Sequence, residues 1–170
     1  MMQAHKPTPD AFPLDRLHLD DRAKGVLAIV RHFLTSFGDP ETQSWQMAFA
    51  TAAERWNDRD GPQTAMRILA VVQAMRRARP SPFRFGNPLC LTCRGWVTPE
   101  EADLMGLIQS MRRDRTDVAR GHVAALTLGR MDPDLIRCAL ALAKTLGPVN
   151  TTEARARPQR PTHREAAMLH

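Results

Sequence analysis

The sequence contains few aromatic residues, no tyrosine and no long apolar run. Aromatic residues make up 5% of the chain, whereas alanine occurs 23 times. This balance disfavours β-sandwiches and barrels, which are rich in β-branched and aromatic residues, and it favours closely packed helices. With 170 residues, of which 43% are hydrophobic and 25% charged, the chain can bury a core, and collagen-like or wholly disordered classes are excluded. We therefore predict an all-α protein.

Signals for secretion and membrane insertion are also missing. The longest stretch without a charged residue, from Thr42 to Ala53, is partly polar and much shorter than the roughly 20 apolar residues of a membrane span. The N-terminal sequence MMQAHKPTPDAF lacks the regions of a signal peptide. Three cysteines, an odd number, disfavour a secreted disulfide scaffold. We expect a soluble, cytoplasmic protein that does not contact a membrane.

Motifs of the common enzyme classes are absent. The chain has no GxxxxGK[ST] phosphate loop, no HExxH and no GxSxG. His18 lies close to Asp20 and Asp21, but a carboxylate at this place is better explained as the N-cap of a helix. We lean toward a protein without catalytic activity, although a pocket that helical periodicity does not reveal would leave an enzyme open.

Apolar residues recur at three- and four-residue intervals in about six segments, which predicts about six short helices. The predicted helices run from near Asp20 to Gly38, from Asp39-Pro40, from Asp60-Gly61-Pro62 to Arg79, from Thr98-Pro99, from about Thr116 to Leu128, and from Asp132-Pro133 to Leu146. The second and third helices, and the fifth and sixth, are expected to form αα-hairpins within a compact bundle.

Several details accompany this prediction. Thr98 and Glu101 match the capping box, the strongest local signal in the chain. We expect Trp45 and Trp56 to face the core, and Arg112 to mark the exposed end of the fourth helix. Residues 1–13 are predicted to be a flexible lead, residues 14–147 a single helical domain, and residues 148–170 a disordered basic tail.

A long irregular segment separates the third and fourth predicted helices. From Pro80 to Val97 the chain mixes proline, glycine and asparagine without a sustained period. This irregular segment is longer than the loops that compact domains usually contain, unless the loop has a function. We call residues 80–97 the cysteine loop. No carboxylate occurs between Asp60 and Glu100, although the formal charge of the whole chain is only +6, so a local positive field is expected around this loop.

Cys90 and Cys93 form a CxxC motif, and two thiolates at this spacing can bind one face of a tetrahedral zinc ion. A structural site requires four ligands. If the fifth and sixth helices pack antiparallel, His122 and Cys138 lie at similar heights, about 10 Å and about 12 Å from the connecting turn. The sequence therefore suggests one structural zinc held by Cys90, Cys93, Cys138 and His122. Reduced thiols, with Cys138 in the core and His122 on a helix flank, are the simpler interpretation.

Charge and aromatic residues in and beside the cysteine loop predict a binding surface. Its candidate residues are Arg76, Arg77, Arg79, Arg84, Arg94, Phe83, Phe85 and Trp96. We expect a regulatory or adaptor protein that presents this surface to an acidic protein partner. A nucleic-acid-binding transcriptional regulator is one alternative, because arginines and aromatic rings also bind phosphates and bases. A thiol-based redox switch is the other. The sequence leaves a homodimer open.

Overall fold

The computed structural model describes residues 8–149, and 72% of it is helical, which confirms the all-α prediction. The five α-helices of these residues are α1 (Asp21–Gly38), α2 (Trp45–Ala78), α3 (Pro99–Arg112), α4 (Thr116–Thr127) and α5 (Pro133–Leu146). Short 3-10 helices cover Leu14–Leu17, Pro40–Thr42 and Cys93–Gly95. None of the helices in this part of the chain is long and apolar enough to cross a membrane.

Local capping signals set the start of three helices where the sequence predicts them. The Asp20 side chain accepts a hydrogen bond from the Ala23 backbone N–H at the start of α1. At the start of α3 both bonds of the capping box between Thr98 and Glu101 are present. Asp132 caps α5. Each of these bonds links residues three apart, so the local sequence is sufficient to predict them.

The predicted second and third helices correspond to the two halves of α2, which are separated by a kink with non-helical backbone. The kink lies at Trp56 and Asn57, where Asn57 has φ 64. Asparagine tolerates positive φ, and its side-chain oxygen accepts bonds from two following backbone N–H groups. Gly61, predicted to be a turn residue, lies inside the helix, and a Cβ there would be 2.7 Å from the Ala52 carbonyl oxygen. The missing side chain allows close approach of the two halves.

Two burial predictions are wrong. Trp45 is 48% exposed, because α2 begins at this residue, after a 3-10 turn, rather than at Asp39-Pro40. Arg112 is buried and forms a two-pronged ion pair with Asp20, with nitrogen–oxygen distances of 2.9 and 2.7 Å. Its guanidinium also donates to the Gly147 carbonyl oxygen at 2.8 Å. This arginine connects the end of α3 to both ends of the helical core.

The five helices pack as a chain of neighbours, and the predicted pairing of the last two helices is wrong. The principal contacts join α1 to α2, α2 to α5, α5 to α3, and α3 to α4. The predicted hairpin of the fifth and sixth helices joins α4 to α5. In the structure α4 packs chiefly on α3, and α5 packs on α2 and α3. The fully buried side chains at the centre include Ile29, Ile68, Leu104, Leu107 and Leu142.

The chain before α1 is joined to the cysteine loop by a two-stranded sheet. Strand β1 (Phe12–Pro13) pairs antiparallel with β2 (Trp96–Val97), with Phe12 opposite Val97. The predicted flexible lead therefore ends in a strand, and its residues 1–7 lie outside the described part of the chain. Residues 150–170 of the predicted basic tail lie outside it as well.

Candidate functional site

The cysteine loop is attached to the helical core by a buried ion pair between α1 and α3. Arg31 Nε lies 2.7 Å from Glu101 Oε1, and Arg31 Nη2 lies 2.9 Å from Glu101 Oε2. Both side chains are almost completely buried, at 4% and 0% exposed. Arg31 also donates to the Trp96 carbonyl oxygen at 2.6 Å. One arginine thus holds the start of α3 and the end of the loop together.

Glu101 accepts further hydrogen bonds from the loop and from the N-cap residue of α3. Its carboxylate accepts hydrogen bonds from the backbone N–H groups of Gly86 and Thr98, each at 3.0 Å. The loop backbone passes so close that a Cβ on Gly86 would be 3.0 Å from the guanidinium carbon of Arg31. A buried carboxylate that receives several donors is well compensated for its desolvation. This pair, which we call the arginine latch (Arg31 and Glu101), attaches the cysteine loop to α1 and α3.

Two of the predicted binding arginines serve the same structural purpose. Arg84 lies 2.7 Å from Glu100 Oε1 and 2.7 Å from Asp10 Oδ2. Arg79 lies 3.7 Å from the same Glu100 oxygen and donates to the Leu126 carbonyl oxygen at 3.0 Å. The carboxylates that neutralise them lie outside the segment without acids, on α3 and before β1. These contacts reduce the positive charge that both arginines offer to a partner.

The other three predicted arginines are exposed but do not form one surface. Arg76 stacks on the Phe37 ring, with its guanidinium carbon 3.9 Å from the ring centroid. Arg77 is exposed near the end of α2, on the side facing α5. The pKa of Asp134 on α5 is lowered first by the hydrogen bond and charge of Arg137 and least by the charge of Arg77. Arg94 lies near the C-terminal end of the cysteine loop and lines a cleft, described below, to which neither Arg76 nor Arg77 contributes.

The predicted aromatic residues of the loop are half-buried. Phe83 and Phe85 pack against the hydrophobic core, and Trp96 belongs to strand β2. Rings in these positions pin the loop to the helices. Phe83 and Phe85 line one pocket of about 280 Å³ together with Arg76 and Arg79, whereas Trp96 lies in β2 and does not line this pocket.

The four suggested zinc ligands lie on three parts of the fold, the cysteine loop, α4 and α5. Cys90 and Cys93 are close neighbours in the loop, and Cys138 lies on α5 beside the core. Among residues 8–149, no group of three or more His, Cys, Asp or Glu side chains is placed to hold a metal ion. The hairpin geometry that suggested a common site is replaced by separate packing of α4 and α5.

His122 has a different environment. Its Nδ1 lies 3.0 Å from Asp103 Oδ1 on the neighbouring helix α3. Its ring covers Gly106, where a Cβ would be 2.4 Å from the imidazole Cε1. The histidine therefore takes part in the close packing of α4 on α3, which agrees with the simpler of the two interpretations of this residue.

The two loop thiols differ in burial and in pKa. The pKa of Cys90 is lowered, first by the hydrogen bond from the Cys93 thiol and then by backbone N–H groups and the charge of Arg94. Burial is the main cause that raises the pKa of Cys93, which is 6% exposed. The Cys93 backbone N–H lies 3.3 Å from Cys90 Sγ. Cys90 is thus the more acidic and the more accessible thiol.

A cleft that the sequence analysis missed lies between α1, the first half of α2 and the cysteine loop. It has a volume of about 410 Å³. Its walls carry five basic side chains, Lys24, Arg31, His32, Arg55 and Arg94, and six apolar ones, Leu14, Leu27, Ala28, Met47, Pro88 and Leu89. The described residues that line it include no carboxylate side chain. We call this the basic cleft.

The cations of the basic cleft are neutralised to different degrees. Arg31 is paired with Glu101 in the arginine latch, and Lys24 lies 3.8 Å from an oxygen of Asp21 on the surface of α1. Arg55 makes one long contact of 3.3 Å, to a backbone carbonyl oxygen. The arginines of α2 and the loop are therefore the main carriers of positive charge at the cleft.

His32 lines the basic cleft and is affected by the charge of Arg94. Its Nδ1 lies 2.8 Å from Ser44 Oγ, and both residues are buried. The pKa of His32 is lowered from its ordinary value of 6.5, first by burial and then by the positive charge of Arg94. Burial is the larger cause, and the charge of Arg94, which acts on His32 as the second cause, also favours an anion at this place.

The residues of the basic cleft come from three distant segments, which explains why the sequence did not indicate them. The available signal was Arg31 within the apolar stripe Ile29 to Leu34 of the first helix, where an arginine is unusual and requires a buried partner. Comparison of the chain with protein family models, curated proteins and solved structures finds no match.

Proposed function

We propose that this protein is a non-enzymatic regulatory or adaptor protein that binds an acidic segment of a partner protein in its basic cleft. The observation that carries the proposal is the combination of basic side chains, apolar walls and no carboxylate in one concave surface. Such a surface fits a ligand with both negative charge and apolar groups.

The dimensions of the cleft favour an extended segment rather than a folded domain. A volume of about 410 Å³ accommodates a few side chains. Leu89 on the loop and Met47 on α2 are 65% and 51% exposed at its edge, and these side chains can cover apolar groups of the segment. Arg55 and Arg94 are exposed on the walls. We expect them to bind its carboxylates, Arg55 from α2 and Arg94 from the loop.

The acidic partner is the one expected from the sequence, but the binding surface differs from the predicted one. Of the predicted binding residues only Arg94 lines the basic cleft. Arg79 and Arg84 contact Glu100 instead, so replacing them would disturb the fold as well as any interaction. Arg55 and Arg94 are the appropriate residues for a test.

Fluorescence anisotropy with a short labelled peptide that alternates glutamate with leucine tests this function. The wild-type chain is expected to bind this peptide, and the peptide that alternates lysine with leucine is the control ligand. Combined replacement Arg55→Gln and Arg94→Gln is expected to weaken binding about tenfold, which corresponds to about 1.4 kcal/mol. The charge-matched control is Arg59→Gln with Arg113→Gln, two exposed arginines outside the cleft, which should leave the affinity unchanged.

Three results would overturn the proposal. One is equal affinity for the glutamate and lysine peptides. Another is equal loss of affinity in the cleft variant and its control. The third is displacement of the peptide by single-stranded DNA that binds more tightly, with a logarithm of affinity that falls steeply with the logarithm of salt concentration, which would identify a nucleic-acid-binding protein instead. Unchanged melting temperatures of the variants establish that the comparison concerns binding rather than folding.

A further inference from the structure

Cys90 and Cys93 lie on the same side of a single helical turn. The Arg94 backbone N–H donates to the Cys90 carbonyl oxygen at 3.1 Å, which is the bonding pattern of an α-helical turn. Residues three apart in such a turn have Cβ atoms about 5–6 Å from each other. Because a disulfide requires Cβ atoms about 3.5–4.5 Å apart, a small closing movement of the turn brings the two sulfurs to bonding distance.

The surroundings give the two thiols different roles. Cys90 Sγ faces the Cys93 N–H and thiol, both of which stabilise negative charge on it. Cys93 lies beneath it in a buried position. Leu89 and Leu91, which flank Cys90, are 65% and 78% exposed, so the chain near Cys90 is open to small molecules.

The pair does not involve the third cysteine of the chain. The third cysteine, Cys138, lies on α5 against the core, and none of the three forms a disulfide. Arg31 and Glu101 bind the loop backbone on both sides of the two cysteines, at Trp96 and at Gly86. The attachment of the loop therefore does not depend on the state of the thiols.

We infer that Cys90 and Cys93 form a reversible dithiol–disulfide couple that reacts with low-molecular-weight disulfides, with Cys90 as the attacking residue and Cys93 as the resolving residue. This couple adjoins the basic cleft, because Leu89 and Arg94 line the cleft and flank the two cysteines. Its reaction with a small disulfide requires no ligand in the cleft, so it does not depend on the proposed binding function.

The reaction has two exchange steps. In the first, the Cys90 thiolate attacks one sulfur of the small disulfide, its S–S bond breaks, and one small thiolate leaves, so that a mixed disulfide forms on Cys90. In the second, Cys93 loses its proton and attacks the Cys90 sulfur, which expels the second small thiolate. The two cysteines are oxidised to one disulfide, the small disulfide is reduced to two thiols, and the two cysteine protons end on these thiols.

The experiment exposes the reduced full-length chain to oxidised glutathione and follows it by mass spectrometry after acid quenching. The wild-type chain should lose two hydrogen masses, and peptide mapping should place the new bond between Cys90 and Cys93. Cys93→Ala should stop at a stable glutathione adduct on Cys90, because the resolving thiol is missing. Cys90→Ala should react at least about tenfold more slowly. Cys138→Ser is the matched control and should behave as the wild type.

Several outcomes would contradict the couple. Equal reaction rates of Cys90→Ala and Cys93→Ala would remove the assigned roles. Accumulation of a glutathione adduct on the wild-type chain without an internal bond would show that Cys93 does not resolve it. About one zinc ion per chain after purification without chelator, with both thiols protected, would make the cysteines metal ligands rather than a redox pair. Thermal melting of each variant confirms that the reaction is measured on folded protein.

Discussion

Neutralising Glu101 in the arginine latch is the perturbation with the largest expected effect on stability. Glu101→Gln preserves the size of the side chain, and glutamine also fits the N3 position of a capping box. The change therefore leaves the local signal for α3 in place and removes the charge that compensates Arg31. The guanidinium stays buried beside two loop carbonyl oxygens without a carboxylate.

The magnitude follows from the burial of the pair. Arg31 and Glu101 are 4% and 0% exposed and share two bonds of 2.7 and 2.9 Å. Removing one partner of such a pair costs about 3–5 kcal/mol, because the other charge is left buried and uncompensated. For a domain of this size, each kcal/mol lowers the melting temperature by about 2–4 °C. The expected loss is therefore about 6–20 °C.

Urea denaturation followed by circular dichroism measures the free energy of unfolding, and Glu54→Gln, an exposed position on α2, is the matched control with a change within about 0.5 kcal/mol. Combined replacement Arg31→Met with Glu101→Gln should cost less than the sum of the single changes. If Glu101→Gln loses no more stability than the control, the latch does not hold the loop and the reasoning is refuted.

Three further predictions concern single positions. The pKa of His32 is lowered by burial and by Arg94, so the unfolded chain binds the proton before the folded chain does as the pH falls below 6.5. Lower pH therefore destabilises the wild type. In urea titrations its stability advantage over His32→Gln should shrink from about pH 7 to about pH 5. Asn57→Ala should cost about 1–2 kcal/mol in the same assay, because Asn57 has φ 64 and caps the second half of α2, whereas Asn57→Gly should cost less. Gly61→Ala should lower the free energy of unfolding by about 1–3 kcal/mol, because the added Cβ would be 2.7 Å from the Ala52 carbonyl oxygen. Unchanged stability in any of these variants contradicts the corresponding contact.

The helix termini show which features of the fold are predictable from neighbouring residues. The caps at Asp20, Thr98 and Asp132 were predictable, because each bond joins a side chain to a backbone N–H three residues away. The break in α2 was misplaced, since Asp60-Gly61-Pro62 is the stronger turn signal in a sequence, whereas Asn57 supplies both the positive φ and the capping oxygen.

The candidate site was less predictable for the same physical reason. The CxxC motif and Arg94 were visible in the sequence. The environments that distinguish Cys90 from Cys93, and the basic side chains that accompany Arg94, depend on helices far away along the chain. A count of arginines without nearby carboxylates overestimated the free charge of the loop, because Asp10 and Glu100 reach Arg84 from both sides of the segment.

The amino-acid sequence by itself determined the helical class and most helix starts of this protein, through periodicity and bonds over three or four residues. The tertiary structure decided which charges are buried. The two buried pairs join residues 70 and 92 positions apart, and a charge at such a distance has a partner only after the helices pack. Packing of the helices pairs Arg31 with Glu101 and thereby attaches the cysteine loop, whereas Arg55 and Arg94 stay exposed at the basic cleft. The physical reason is that a charge is buried only where the fold supplies its counterion.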